Sequence, residues 1–211
     1  MISLPRLYAI LDASCFPDSE DLLRAAEELV AAGVTLIQYR NKSDDARVIV
    51  NQARELRQRC SRAGVPAPHG LKLILNDRAD LCLAAEFDGV HVGQHDLSPE
   101  AARKIIGPER WLGVSTHNPQ QVIEADRTSA DYIAIGPVFS TGSKRNPAPV
   151  ISLAGVRQAR QLTRKPLVAI GGITRENCRS VIEAGADSVA VISDLIRDPR
   201  KSAEEFLRIL G

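Results

Sequence analysis

Short apolar runs, most with β-branched residues, recur along the whole chain, and each gives way to a stretch with apolar positions at helical spacing. Leu7-Tyr-Ala-Ile-Leu11, Thr35-Leu-Ile-Gln-Tyr39, Lys72-Leu-Ile-Leu75 and Gly89-Val-His-Val92 are predicted strands. Trp111-Leu-Gly-Val114, Tyr132-Ile-Ala-Ile135, Leu167-Val-Ala-Ile170 and Ser188-Val-Ala-Val-Ile192 continue the series. Several are apolar almost throughout, as strands of a parallel sheet covered on both faces must be. From Ser19, Leu22, Leu23, Ala26, Leu29 and Val30 fall on one helical face, with Arg24, Glu27 and Glu28 on the other. Asp44 and Asp45, Ser98-Pro99-Glu100, Asn118-Pro119, Thr174 and Asp198-Pro199 supply further helix starts. Eight strand–helix units joined by right-handed crossovers close into an α/β fold, a (β/α)8 TIM barrel. A single barrel domain over 1–211 is expected, with one long polar loop, Ser140 to Ile151, that economy alone does not explain.

Charge and composition narrow the function. Lys+Arg 27 against Asp+Glu 26 leaves +1, with no excess to hold nucleic acid or an acidic membrane. No apolar run approaches the roughly 18 to 20 residues of a membrane span. The opening Met-Ile-Ser-Leu-Pro-Arg has none of the parts of a signal peptide, so a cytoplasmic protein is expected. Cys15, Cys60, Cys82 and Cys178 lie far apart and read as free thiols rather than a disulfide framework or a zinc site. Self-association into a homo-oligomer is left open.

Active sites of such barrels lie at the carboxyl ends of the strands. The polar residues there are Gln38, Arg40, Asn41 and Lys42, then Asn76 and Asp77, then Gln94, His95 and Asp96. Ser115, Thr116 and His117 follow the fifth strand, Thr141, Ser143 and Lys144 the sixth, Gly171-Gly172 the seventh and Ser193 the eighth. Gly171-Gly172 with Ser193 suits a phosphate cradle, the alternative being a tight turn. Gln38, Arg40 and Lys42 alternate onto one side of an extended chain, where two cations suit a diphosphate; a solvated, salt-bridged strand end is the rival. Lys144 and Arg145 add charge to the same rim. Asp77 and Asp96 suit Mg²⁺ shared with phosphate oxygens, although Asp77 could instead cap the next helix. His91 lacks a complete zinc ligand set, and His117 could shape a turn or move a proton. A Schiff-base lysine at Lys42 beside Arg40 keeps an aldolase-type reading open.

Taken in order, Gln38-Tyr-Arg-Asn-Lys42, Leu75-Asn-Asp-Arg-Ala-Asp80, Asp88-Gly-Val-His-Val-Gly-Gln94 with Asp96, and Gly113-Val-Ser-Thr116 form a set. With Gly136-Pro-Val-Phe-Ser-Thr-Gly-Ser-Lys144, Val168-Ala-Ile-Gly-Gly-Ile173 and Ala190-Val-Ile-Ser193, it resembles the thiamine phosphate synthase family over nearly the whole chain. The resemblance implies a Mg²⁺-dependent transferase joining hydroxymethylpyrimidine diphosphate to a thiazole phosphate, often carboxylated, by a dissociative substitution that releases pyrophosphate. It implies that Gln38, Arg40, Lys42, Asn76, Ser115 and Lys144 hold the pyrimidine diphosphate, and that Tyr39 and Asn41 of the same segment are substrate-binding too. Arg40, Lys42, Ser115 and Lys144 would be catalytic, and Asp77 and Asp96 would ligate the metal. Thr141, Ser143, Gly172, Ile192 and Ser193 would hold the thiazole phosphate. Ser143 stands where threonine is common in the family. A regulatory or tautomerase branch of the same fold would need the phosphate cradle without the metal and diphosphate set.

Overall fold

The computed structural model describes residues 2–62, 70–142 and 148–211. Strands β1 (Leu7–Asp12), β2 (Leu36–Arg40), β3 (Lys72–Asn76) and β4 (Gly89–Val92) are followed by β5 (Trp111–Thr116), β6 (Tyr132–Ile135), β7 (Leu167–Ile170) and β8 (Ser188–Val191). Each pairs in parallel with the next, and β8 returns to β1 with Leu7 opposite Val189 and Ala9 opposite Val191, closing an eight-stranded barrel. Helices α1 (Ser19–Ala31), α2 (Ala46–Arg62), α3 (Ala79–Ala84), α4 (Pro99–Ile106) and α5 (Pro119–Asp126) wrap the first half. Helices α6 (Ser152–Leu162), α7 (Cys178–Glu183), a single turn α8 (Ser193–Ile196) and α9 (Pro199–Leu210) complete the ring. Among the described residues no helix is long and apolar enough to cross a membrane.

Strand alternation sorts the side chains into two cores. Leu7, Ala9, Leu11, Ile37, Tyr39, Leu73 and Leu75 face outward and join the helices in the larger buried cluster. Tyr8, Ile10, Leu36, Ile74, Tyr132, Ala134, Val168 and Ala190 face inward and pack a smaller one inside the barrel. Burying a Leu or Ile on either side contributes roughly 1.5–3 kcal/mol, so a one-residue slip in register would exchange both cores and is strongly disfavoured.

The caps mostly follow the sequence. Asp18, Ser98, Asn118 and Asp198 each accept a backbone N–H from the first turn of α1, α4, α5 and α9. Thr174 does not cap a helix. Gly171 (φ 102°) and Gly172 (φ 64°) turn the chain first. The Asn177 side chain then ties Thr174 N at 2.9 Å to Gly172 O at 3.0 Å, so α7 begins only at Cys178.

Candidate functional site

A cavity of about 380 Å³ opens at the carboxyl ends of the strands, within the size range of small-molecule sites. Alternation decides what β2 gives it. Gln38, Arg40 and Lys42 point in and line the cavity. Tyr39 and Asn41 do not: Tyr39 is 0% exposed on the outer face, against Phe87. Asn41 donates to the Tyr39 hydroxyl at 2.9 Å and to Gln52 Oε1 on α2 at 3.1 Å. Their expected place among the substrate contacts is therefore corrected by the two-residue period of the strand. Burial pushes the Tyr39 phenol up to about 12.

Each described cation of the rim already has a carboxylate. Arg40 is paired with Asp12, a buried acid at the end of β1 that also accepts from Ser14 N and Oγ. Lys42, 56% exposed, is paired with Asp77. It thus lacks the burial that an aldolase-type lysine would need. Asp77 sits just past β3 in a left-handed conformation (φ 62°), which aspartate tolerates better than most residues. Its N–H goes to His91 O at 2.8 Å, and α3 starts behind Arg78 without a side-chain cap, so Asp77 is free of the capping role. Asp96 accepts from Gly93 N at 2.7 Å. Burial first, and then the adjacent Asp77, raise its carboxyl above the ordinary aspartate value. Among the described residues the rim thus sets three carboxylates, Asp12, Asp77 and Asp96, against the two cations Arg40 and Lys42. Ser143, Lys144 and Arg145 lie outside the described residues; Thr141 and Ala148, on either side of them, line the cavity.

Below the rim, inward side chains form a polar chain. Gln38 Nε2 donates to Tyr8 Oη at 2.9 Å, and Tyr8 Oη meets Tyr132 Oη at 2.9 Å. Tyr132 Oη lies 3.1 Å from His91 Nδ1, and His91 Nε2 lies 2.8 Å from Ser115 Oγ. Both ring nitrogens of His91 are thus engaged by side chains rather than available to a metal. Sequence reasoning missed Tyr8, Tyr132 and Asp12, whose strand positions read as ordinary core or strand end. The only available signal was their parity with Ile10, Gln38 and Ala134. Gly113 makes room for the contact: a Cβ there would stand 2.1 Å from Tyr132 Cζ and 2.4 Å from His91 Nδ1. Gly113→Ala is therefore expected to destabilise the fold by about 1–3 kcal/mol, read as a lowered midpoint in urea. A wild-type midpoint would show that the rings yield without cost.

The opposite wall carries Gly171, Gly172, Ile192 and Ser193 from the loops after β7 and β8. A Cβ on Gly172 would lie 2.4 Å from Ser140 O, so only glycine lets these loops approach with their N–H groups uncovered. Asn76 Nδ2 is buried in the wall and has no hydrogen-bond partner among the described residues, a donor of the kind a bound anion would satisfy. His117 Nδ1 donates to Gly136 O at 2.6 Å, and His117 N donates to Gln121 Oε1 at 2.7 Å, which favours the turn-shaping role. Gln94 Nε2 braces Ser115 O at 2.6 Å. Ile170, Val168, Ala134 and Ala190 supply an apolar patch between the polar walls. Gln38, Arg40, Lys42, Asn76, Asp77, Asp96, Ser115, Thr141, Gly172, Ile192 and Ser193 thus share one cavity.

Known proteins match this chain along its length. A family model described as thiamine monophosphate synthase covers residues 7–195. The thiamine-phosphate synthase of Koribacter versatilis is 60% identical over 99% of this chain and 97% of that protein. The corresponding protein of Chloroflexus aurantiacus is 42% identical over 97% of this chain and 92% of its own length. A thiamine phosphate pyrophosphorylase structure from Pyrococcus furiosus superposes with a TM-score of 0.84 at 34% identity, covering 97% of this chain and 95% of that one.

Proposed function

The chain belongs to the thiamine monophosphate synthase family and is a transferase, and from that premise we propose how its cavity performs the coupling. Hydroxymethylpyrimidine diphosphate binds with its diphosphate against Arg40, Lys42, Asn76 and Ser115; the resemblance adds Lys144, which lies outside the described residues. The thiazole phosphate, carboxylated or not, sits across the apolar patch with its phosphate at Thr141, Ser143, Gly172, Ile192 and Ser193.

The surplus of carboxylate at the rim carries the metal reading. Arg40 and Lys42 already answer Asp12 and Asp77, so a multiply charged diphosphate needs further positive charge. Asp77 and Asp96 fit Mg²⁺, which takes one or two protein carboxylates and leaves its other positions to phosphate oxygens and water. When bound, the ion would neutralise diphosphate oxygens and ease departure of the leaving group. Arg40, held by Asp12, offers its fork to the same oxygens without first losing side-chain freedom. The C–O bond breaks with its electron pair leaving on pyrophosphate, and the pyrimidine stabilises the methylene cation left behind. The lone pair of the thiazole nitrogen then forms the C–N bond; a carboxylated thiazole also loses carbon dioxide. No base is required, because that nitrogen carries no proton.

Purified protein mixed with Mg²⁺, the pyrimidine diphosphate and the thiazole phosphate is expected to release pyrophosphate and form thiamine phosphate in equal amounts. Binding of the thiazole phosphate with no pyrophosphate released would instead indicate the regulatory or tautomerase branch.

A further inference from the structure

We propose that Tyr132 is a positioning residue of this transfer, acting through His91 to present the Ser115 hydroxyl as a hydrogen-bond donor to the diphosphate substrate. The inference rests on the function proposed above. It follows from proton counting along the buried chain that runs from β2 through β1, β6 and β4 to β5.

Gln38 Nε2 can only donate, so Tyr8 Oη accepts from it at 2.9 Å. Tyr8 has one proton to give, and Tyr132 Oη is the acceptor 2.9 Å away. Tyr132 in turn has one proton, and His91 Nδ1 stands at 3.1 Å. A neutral imidazole that accepts at Nδ1 carries its proton on Nε2, and Nε2 lies 2.8 Å from Ser115 Oγ. Ser115 therefore receives a hydrogen bond from below and keeps its own proton for the cavity it lines. Each of the four links from Gln38 to Ser115 then has one donor and one acceptor.

In the opposite direction Tyr8 either accepts from both Gln38 and Tyr132 and leaves its own buried proton unpartnered, or the Gln38 amide turns its oxygen to Tyr8 and its NH₂ toward the rim. Gln38 shares its inward face with Arg40 two residues on, where an amide oxygen is better suited than a second donor. Burial pushes both tyrosine phenols well up, so they remain protonated donors. Phenylalanine at either position would fill the barrel interior without a buried hydroxyl to satisfy. The His91 and Tyr132 rings, 5.5 Å apart and tilted by 32°, meet over the space that Gly113 leaves open.

The test is a long-range ¹H–¹⁵N spectrum of the full-length, ¹⁵N-labelled protein at neutral pH, with the His91 peaks assigned by their loss in His91→Asn. An Nε2–H tautomer is expected in wild type and in Tyr8→Phe, where the Tyr132–His91 bond persists. Tyr132→Phe is expected to raise the Nδ1–H population and to lower kcat about tenfold, the worth of one hydrogen bond, with KM moving much less. An Nδ1–H or doubly protonated His91 in wild type overturns the proposal, and this reading stands even if Tyr132→Phe does not fold. A folded Tyr132→Phe with unchanged kcat overturns it equally. Failure of the wild-type protein to release pyrophosphate would sink the functional reading, while the nitrogen spectra still decide the direction of the chain.

Discussion

Asp96→Asn should abolish nearly all turnover, lowering kcat by about two to three orders of magnitude, in a protein that melts no lower than wild type. The two halves have one cause. Burial and the neighbouring Asp77 hold the Asp96 carboxyl above its ordinary value, so folding disfavours its charged form. A group whose pKa is raised by folding stabilises the fold below its unfolded pKa and loses that contribution as pH rises through the folded one. At neutral pH the charge of Asp96 is therefore a burden, which a neutral amide of the same shape removes. The amide oxygen can still accept the Gly93 N–H that Asp96 holds at 2.7 Å. Activity falls because one of two proposed metal ligands is gone. Thermal melts with and without Mg²⁺ check both halves: the ion should raise the wild-type midpoint by mass action and leave the variant unmoved. Retained turnover, or an equal loss of thiazole phosphate binding, would refute the metal role.

Gly172→Ala should have the second largest effect, raising KM for the thiazole phosphate about a hundredfold, since displacement of a site by 1 Å can cost that much. At φ 64° a Cβ is strained in its own right, and here it would meet Ser140 O at 2.4 Å and Phe139 Cβ at 2.8 Å. Both neighbours belong to the loop that leads to Thr141, so the strain would be relieved by moving the phosphate wall. The diphosphate contacts Arg40, Asn76 and Ser115 lie on β2, β3 and β5, away from that loop, so the KM of the pyrimidine diphosphate should rise much less. Separate titration of the two substrates distinguishes this from general unfolding, which would affect them alike.

Much of this was legible in the sequence because strands bury both faces and announce themselves as apolar runs. The same runs fix where the carboxyl ends fall, so the pattern alone puts Asp77, Asp96, Ser115 and Ser193 near one opening. Tyr39 and Asn41 were misplaced because they sit within a motif whose alternate members face opposite ways. Thr174 looked like a cap because a threonine after Gly-Gly is a common helix start, but the turn consumed three more residues before α7. Asp12 could not be foreseen: its value to Arg40 comes from register, Asp12 standing opposite Arg40 across the β1–β2 pair. Tyr8 and Tyr132 lie 124 residues apart, and only barrel closure brings their hydroxyls together.

The outward half of β2 has a consequence for how tolerance to substitution is distributed. Tyr39 and Asn41 are fastened to Gln52 on α2, and Gln52 Nε2 reaches on to Ser19 Oγ at the start of α1 at 2.8 Å. The strand that leads to Arg40 and Lys42, the proposed diphosphate contacts, is thus bolted from behind to two helices. Variation along residues 38–42 should be resisted at every position, but for alternating reasons: at even numbers because the side chain lines the cavity, at odd numbers because the scaffold under it would loosen.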